Sequence, residues 1–191
     1  MRLAPIEKPR GLLLRIAYGL SRRQLGGVMS PLKVIYARAP KLTWTSAVVT
    51  WTEDKGLSLE PALRLLIITQ SSLLNGCSFC ADLHMAQAVQ ARLGLERFKA
   101  LPDFATSSLF SERERAVLAY TEEVTRRRSA SDAVFETLLE HASEKEIVEI
   151  TWLNAVGNMF NLMAVPLQLE SDDFTALALK RAEGRPAGSR A

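Results

Sequence analysis

Apolar residues in this chain recur at intervals of three and four along most of its length, which is the period of an α-helix. The clearest stretch lies between residues 60 and 75, where one helix face carries Leu63, Leu66, Ile67, Gln70, Leu73 and Leu74. The alternation that marks a β-strand is hard to find, and only residues 48–51 are ambiguous. We therefore expect an all-α fold.

Proline, glycine and capping residues divide this pattern into separate helices. Pro61 suits a first helical turn, and Asn75 with Gly76 suits a helix end. Asn75 is also available as the N-cap of the helix that follows. Ser111 and Ser143 each precede a glutamate by three residues, which is the spacing of a capping box. The predicted helices cover residues 11–19, 61–74, 75–93, 111–127, 131–141, 143–165 and 171–182, and two shorter helices parted by Pro40 fall within 31–53.

The chain of 191 residues is long enough for one substantial core. We expect residues 1–30 to form an N-terminal arm with a short helix, and residues 31–170 to form the helical core. Residues 171–191 are predicted to form a C-terminal helix followed by a disordered tail rich in Gly, Pro and Ser.

Charge and cysteine content narrow the class of protein. An excess of 24 Lys and Arg over 21 Asp and Glu is a weak argument for nucleic-acid binding. The apolar stretch at residues 12–14 is interrupted by Arg15 and is far too short to span a bilayer. Two cysteines are too few for a disulfide-stapled scaffold, so a reducing compartment is the default. We therefore expect a cytoplasmic protein that binds neither nucleic acid nor membrane.

The helix predicted over 143–165 is apolar almost all round between residues 146 and 163, which predicts that it is buried. Four polar residues nevertheless share one face of it, at spacings of three, four and three: Thr151, Asn154, Asn158 and Asn161. Because buried amides need partners, a polar seam through the core or an oligomer contact is the favoured interpretation. Lining a reactive pocket is the alternative.

Residues 75–84, NGCSFCADLH, hold both cysteines of the chain and one of its two histidines. Because residues three or four apart are neighbours on a helix, Cys77, Cys80 and His84 share one face. The Cα atoms of two such cysteines lie about 5 to 6 Å apart, within the range that a disulfide spans. At a helix start, free N–H groups and the helix dipole stabilise a thiolate, which is the form that attacks peroxides and disulfides. His84 can accept the proton of Cys80 and return it to a leaving oxygen, so the motif favours redox chemistry.

Two other interpretations of the cysteine motif stay open. Zinc takes four protein ligands, or three and a water molecule, and His141 is the only histidine outside the motif. Three ligands on one helix face seldom surround a metal tetrahedrally, which weakens the zinc hypothesis. Unreactive buried thiols are the other alternative, because free cysteine often packs as a small hydrophobic residue.

The segment LRLLIITQSSLLNGCSFCADLH resembles the core of the alkylhydroperoxidase D-like branch of the carboxymuconolactone decarboxylase superfamily. That branch typically has Asn-Gly-Cys at a helix end, an aromatic residue before the second cysteine (here Phe79) and a histidine four residues further on. The segments SERERAVLAYTEEVT and SEKEIVEITWLNAVGNMFN are similar to later helices of the family, so the resemblance spans roughly residues 30–165.

The resemblance implies a helical bundle that assembles into trimers, dimers or hexamers and acts as a thiol peroxidase. It implies that Cys80 is the thiolate that attacks peroxide, that Cys77 is the resolving partner, and that His84 belongs to a proton relay. A dithiol protein or a small thiol would then restore the reduced pair, and we expect neither a cofactor nor a metal. The decarboxylase branch generally lacks the cysteine pair, which argues against lactone decarboxylation.

One position departs from the family pattern. The family usually carries a relay glutamate twelve residues before the first cysteine, where this chain has Leu65. Glu60 is five residues from position 65 and points about 140° round the helix from it, so it is no simple substitute. Asp82 lies on the opposite side of its helix from Cys80. The remaining candidates, Glu146 and Glu149, lie on the later helix.

We therefore predict a thiol–disulfide peroxidase that reduces hydrogen peroxide or organic hydroperoxides. The leucine at position 65 favours an alternative, a non-enzymatic redox-sensing or interaction protein on the same fold. The cysteine pair of such a protein would be oxidised once, without turnover.

Overall fold

The computed structural model describes residues 1–183, so the predicted disordered tail lies outside the described residues. Within residues 1–183 the chain is all-α and contains no β-strand, as predicted. The α-helices of this part are α1 (Leu12–Leu25), α2 (Pro40–Trp51), α3 (Pro61–Leu74), α4 (Ser78–Gln90), α5 (Leu95–Lys99), α6 (Glu112–Arg127), α7 (Asp132–His141), α8 (Glu144–Ala164) and α9 (Phe174–Glu183). Two π-helical segments, Leu32–Tyr36 and Thr52–Gly56, flank α2.

The strongest local signals set the helix boundaries where the sequence predicts them. Ser111 begins α6 and Ser143 begins α8, and each closes a complete capping box with the glutamate three residues later. Helix α1 is longer than predicted and runs six residues past the predicted end at 19. It continues because Ser21 and Leu25 are buried, and it ends where Gly26 takes a left-handed backbone with φ of 95°.

The ambiguous residues 48–51 are helical and form the end of α2, in agreement with the short helix predicted after Pro40. The region of the cysteine motif differs from the sequence prediction. The helix predicted over 75–93 is shorter at both ends, since α4 covers Ser78–Gln90. Gly94 does not end that helix but precedes the short α5, which was not predicted.

Helix α3 lies at the centre of the core and packs against α4, α6 and α8. Its Leu66 and Ile67 are fully buried, together with Val117 of α6 and Ile150 of α8. Helices α3 and α8 approach closely, since a Cβ atom added at Gly157 would lie 3.3 Å from the Cβ of Ser71. This close contact brings the polar face of α8 against the helix that leads to the cysteines.

Two helix faces are apolar but exposed. The prediction that residues 146–163 are buried all round is wrong for the outer face of α8, where Val148 is 69% exposed and Leu162 is 61% exposed. Trp152 and Met159 lie on the same outer face and are also exposed. Helix α2 has no buried residue, and its Trp44 is 70% exposed. Along residues 1–183, no helix is both long and apolar enough to cross a bilayer.

Candidate active site

The chain turns sharply between α3 and α4, and this turn places the cysteine pair. Gly76 has a φ of 67°, a left-handed backbone that suits glycine. The prediction that Asn75 caps the helix of the cysteines is wrong. Asn75 ends α3, and its side chain donates instead to Asn158 and Asn161. Cys77 takes the N-cap position, and its Sγ accepts a hydrogen bond from the backbone N–H of Cys80 at 3.3 Å.

Cys77 and Cys80 are joined by a disulfide, with their Cα atoms 5.3 Å apart. This separation agrees with the spacing that the motif predicts. Both side chains are buried, with 1% of Cys77 and 4% of Cys80 exposed. The pair can therefore exist as a disulfide without any change in the backbone between α3 and α4.

A cavity of about 800 Å³ opens beside the pair. Cys80 and His84 both line it, whereas Cys77 does not. The walls come from the Leu32–Tyr36 segment and from α2, α3, α4 and α8. Apolar side chains provide much of the lining, among them Met29, Leu32, Ile35, Phe79, Leu83, Phe160 and Met163. The size and lining suit a small organic molecule.

His84 lies one turn after Cys80 and is partly buried. Desolvation lowers its pKa from the usual 6.5 to about 4, so the ring is neutral at pH 7. Its Nδ1 atom lies 3.4 Å from the hydroxyl oxygen of Ser72, on α3. The structure therefore brings Cys80 and His84 to one cavity. The polar contact of the His84 ring is with Ser72 on α3.

The carboxylates considered from the sequence do not reach this cavity. Glu146 is held by Ser143 and Arg113, while Glu149 accepts from the backbone N–H groups of Ser58 and Leu59. Neither of these two candidates therefore replaces the relay glutamate in this cavity, because each carboxylate is bound elsewhere. Asp82 accepts hydrogen bonds from the first residues of α9. Leu65 does line the cavity, so the usual glutamate position faces the site with an apolar side chain.

Glu53 and Arg64 also line the cavity and were missed by the sequence analysis. Burial raises the pKa of Glu53 from the usual 4.5 to about 7, although the nearby Arg64 opposes this shift. Arg64 donates to the backbone carbonyl oxygens of Glu53 and Asp54. No local motif marks these residues, because they meet only through the packing of the Thr52–Gly56 segment against α3.

The polar face of α8 forms a hydrogen-bonded seam, as the favoured interpretation predicts. Asn154 is fully buried, and its Oδ1 accepts from Ser71, Thr125 and Asn158, each at 2.8 Å. Thr151 makes a 2.8 Å hydrogen bond with the hydroxyl of Tyr120. The seam continues through further amides to the contact of Ser72 with His84.

A metal site finds no support in residues 1–183, where no three His, Cys, Asp or Glu side chains are grouped to hold an ion. The two sulfur atoms that zinc would need are bonded to each other. The zinc hypothesis therefore has no ligand set in this part of the chain.

Comparison with known proteins agrees with the family resemblance. A family model described as the carboxymuconolactone decarboxylase family matches residues 40–123. The uncharacterized protein YnjA of Escherichia coli is 30% identical over 174 residues, which cover 88% of this chain and 94% of that protein.

Solved structures share the fold. A protein of unknown function from Agrobacterium tumefaciens, proposed to be the antioxidant defence protein AhpD, is 30% identical with a TM-score of 0.68. The match covers 72% of this chain and 96% of that one. The debrominase Bmp8 is 19% identical with a TM-score of 0.79, covering 93% of this chain and 96% of that one, and so supports the fold alone.

Proposed function

The chain belongs to the carboxymuconolactone decarboxylase family, in its alkylhydroperoxidase D-like branch, and from this we propose that it is a thiol–disulfide peroxidase for organic hydroperoxides. The observation that carries the proposal is the placement of Cys80. This residue is bonded to Cys77 on one side and lines a cavity shared with His84 on the other. A peroxide in that cavity would meet one sulfur and one imidazole.

The proposed cycle begins with the reduced pair. His84 takes the thiol proton of Cys80, and the thiolate attacks the terminal, hydrogen-bearing oxygen of the hydroperoxide. The O–O bond breaks, Cys80 becomes a sulfenic acid, and the departing alkoxide takes the proton from the ring and leaves as an alcohol. The Cys77 thiol then displaces the sulfenic oxygen as water, which forms the disulfide. An external dithiol supplies two electrons and two protons to restore both thiols.

Two features of the site support these assignments. Cys80 lines the cavity and Cys77 does not, which favours Cys80 as the atom attacked by substrate and Cys77 as the resolving thiol. Cys80 also lies in the first turn of α4, where the helix dipole favours a thiolate. The apolar lining favours an organic hydroperoxide over hydrogen peroxide.

Peroxide consumption with a supplied dithiol tests the proposal. We expect cumene hydroperoxide to be consumed catalytically and faster than hydrogen peroxide, and we expect Cys80→Ser to abolish turnover. Without the dithiol, Cys77→Ser should consume one equivalent and stop as a sulfenic acid, visible by mass spectrometry. Equal consumption by the parent protein and Cys80→Ser would overturn the proposal.

Leu65 favours the second candidate, a redox sensor whose pair is oxidised without turnover. The same assay separates the two functions, because a sensor consumes one equivalent of peroxide and then stops even when dithiol is present. Its Cys77–Cys80 bond would still form, so mass spectrometry alone does not distinguish the candidates.

A further inference from the structure

His84 meets a fully buried serine on α3, the helix that carries Leu65 at the usual relay position. The Nδ1 atom of His84 lies 3.4 Å from the Oγ of Ser72, and Ser72 is 0% exposed. Asn161, on α8, donates from its Nδ2 to the same Oγ atom at 3.2 Å and is also buried. Ser72 therefore stands between an amide from α8 and the imidazole from α4.

The hydrogen of the Ser72 hydroxyl is already donated in another hydrogen bond. This hydroxyl donates to the backbone carbonyl oxygen of Ile68 at 2.7 Å. A serine hydroxyl has one hydrogen to donate and two lone pairs that accept. Asn161 occupies one lone pair, so the other can bind the ring only if His84 is the donor. Nδ1 of His84 then carries the proton, and Nε2 of the neutral ring is unprotonated.

The orientation of Asn161 is also determined by its neighbours. Its Oδ1 accepts from the Nδ2 of Asn75 at 3.2 Å, which leaves its own Nδ2 to face Ser72. Asn75 donates as well to the Oδ1 of Asn158 at 2.9 Å, and Asn158 donates in turn to Asn154 at 2.8 Å. A flipped Asn161 would set its Nδ2 against the donor of Asn75, so the amide chain fixes which way Asn161 points.

We propose that Ser72 and Asn161 are positioning residues that hold His84 as the Nδ1–H tautomer and leave its Nε2 lone pair for the thiol proton of Cys80. This role rests on the proposed function, since it describes how the imidazole is prepared for the first step. A hydroxyl and an amide then orient the ring in a chain that has leucine at the usual relay position. The ring keeps a base at Nε2 and gains no neighbouring negative charge.

Other ionisable groups near the ring are few. On α4 itself, Asp82 is turned toward α9 and bonded to its first residues. Across the cavity are Glu53 and Asp54, with Arg64 on α3 bonded to their backbone. The described contacts place none of these side chains on His84, so Ser72 provides the polar contact that sets its tautomer.

Nitrogen-15 NMR of the oxidised protein tests the assignment directly, since only two histidines are present and His141→Gln identifies the signals of His84. At pH 7 we expect a protonated Nδ1 and an unprotonated Nε2 in the parent protein. The opposite pattern in the parent protein would overturn the proposal, whatever any variant does. This readout needs no peroxide, so it is independent of the proposed function.

Variants at two adjacent serines then distinguish an effect on the orientation of His84 from a general effect on the fold. Ser72→Ala should mix the two tautomers and lower the alkylation rate of reduced Cys80 at pH 7 about threefold to tenfold, the effect of one lost hydrogen bond. Ser72→Thr keeps the hydroxyl and should retain the parent pattern. Ser71→Ala is the matched control, because Ser71 is equally buried but bonds to Asn154.

The outcomes distinguish the two proposals. An unchanged tautomer in Ser72→Ala, or an equal change in Ser71→Ala, would refute the positioning role. The predicted tautomer together with no catalytic peroxide consumption would refute the peroxidase function and leave the positioning role standing.

Discussion

The backbone N–H of Cys77 donates to the carbonyl oxygen of Ser72 at 2.9 Å. Ser72 therefore contacts both parts of the candidate site, because its carbonyl holds the cysteine that caps α4 and its hydroxyl contacts the imidazole of His84. A movement of the last turn of α3 would shift the sulfur pair and the ring together. The geometry of the site is thus tied to the packing of α3 in the core.

The low pKa of His84 predicts how the protein responds to acid. The folded-state pKa of about 4 lies below the ordinary value of 6.5, so the unfolded chain binds this proton first as the pH falls. The contribution of His84 to the free energy of unfolding should be constant above pH 6.5 and fall by up to about 3 kcal/mol by pH 4. The difference in the free energy of unfolding between the parent protein and His84→Gln, from urea titrations at several pH values, measures this contribution. A ring titration midpoint near 6.5 by NMR would contradict the prediction.

The raised pKa of Glu53 predicts a pH dependence of stability with the opposite sign. Its folded-state pKa of about 7 lies above the ordinary 4.5, so the folded protein holds a proton that the unfolded chain has lost. The contribution of Glu53 to stability should therefore be greatest below pH 4.5 and fall as the pH rises through 7. We expect Glu53→Gln to be about 1 to 2 kcal/mol more stable than the parent at pH 8, allowing for the partial exposure of the side chain.

Thermal unfolding at pH 5 and pH 8 measures this effect. Asp54→Asn, at the exposed neighbouring position, is the control and should keep the pH dependence of the parent. If the stability of Glu53→Gln changes between pH 5 and pH 8 as much as that of the parent protein, Glu53 is ionised throughout this range.

The buried hydrogen bonds of Asn154 predict that truncating its side chain strongly lowers the free energy of unfolding. Its Oδ1 accepts three hydrogen bonds inside the core, so Asn154→Ala leaves three donors without that acceptor. We expect a loss of about 2 to 4 kcal/mol in the free energy of unfolding, measured in urea. Glu136→Ala on the exposed side of α7 is the control and should change stability by less than about 0.5 kcal/mol. Equal losses in both variants would show that the seam contributes little.

The exposed apolar face of α8 predicts self-association. Val148, Trp152 and Leu162 lie on one side of this helix, and an apolar patch of this kind marks a contact surface. We expect the parent protein to be a homo-oligomer and the double variant Trp152→Glu, Leu162→Glu to be smaller, by light scattering at matched concentration. Thr137→Glu on the exposed side of α7 should leave the mass unchanged. A monomeric parent would contradict this prediction.

The sequence predicts the parts of the fold that depend on neighbouring residues. Ser111 and Ser143 cap helices because each has its glutamate three residues on, and no distant contact competes. Asn75 carries the same kind of signal, yet its side chain is taken by the amides of α8, so Cys77 caps α4 instead. The cap prediction fails at Asn75 because partners 83 and 86 residues away are stronger than the local preference.

The candidate site also has one part that the sequence predicts and another part that it does not. The spacing of Cys77, Cys80 and His84 on one helix is sufficient to predict that the cysteines can bond and that the imidazole is near. The contact of Ser72 with His84 and the burial of Glu53 depend on how α3 meets α4 and the Thr52–Gly56 segment. Such contacts join distant segments and leave no periodic pattern in the sequence.

Helix α2 forms one wall of the cavity, yet none of its residues is buried. Shifting that wall outward would expose almost no core surface, so the hydrophobic effect resists it only weakly. The walls on α3 and α8, by contrast, are held in the core through Leu66, Ile150 and the close approach at Gly157. We therefore expect the α2 wall to adjust to hydroperoxides of different bulk, so that the proposed peroxidase accepts a broad rather than a narrow range of them.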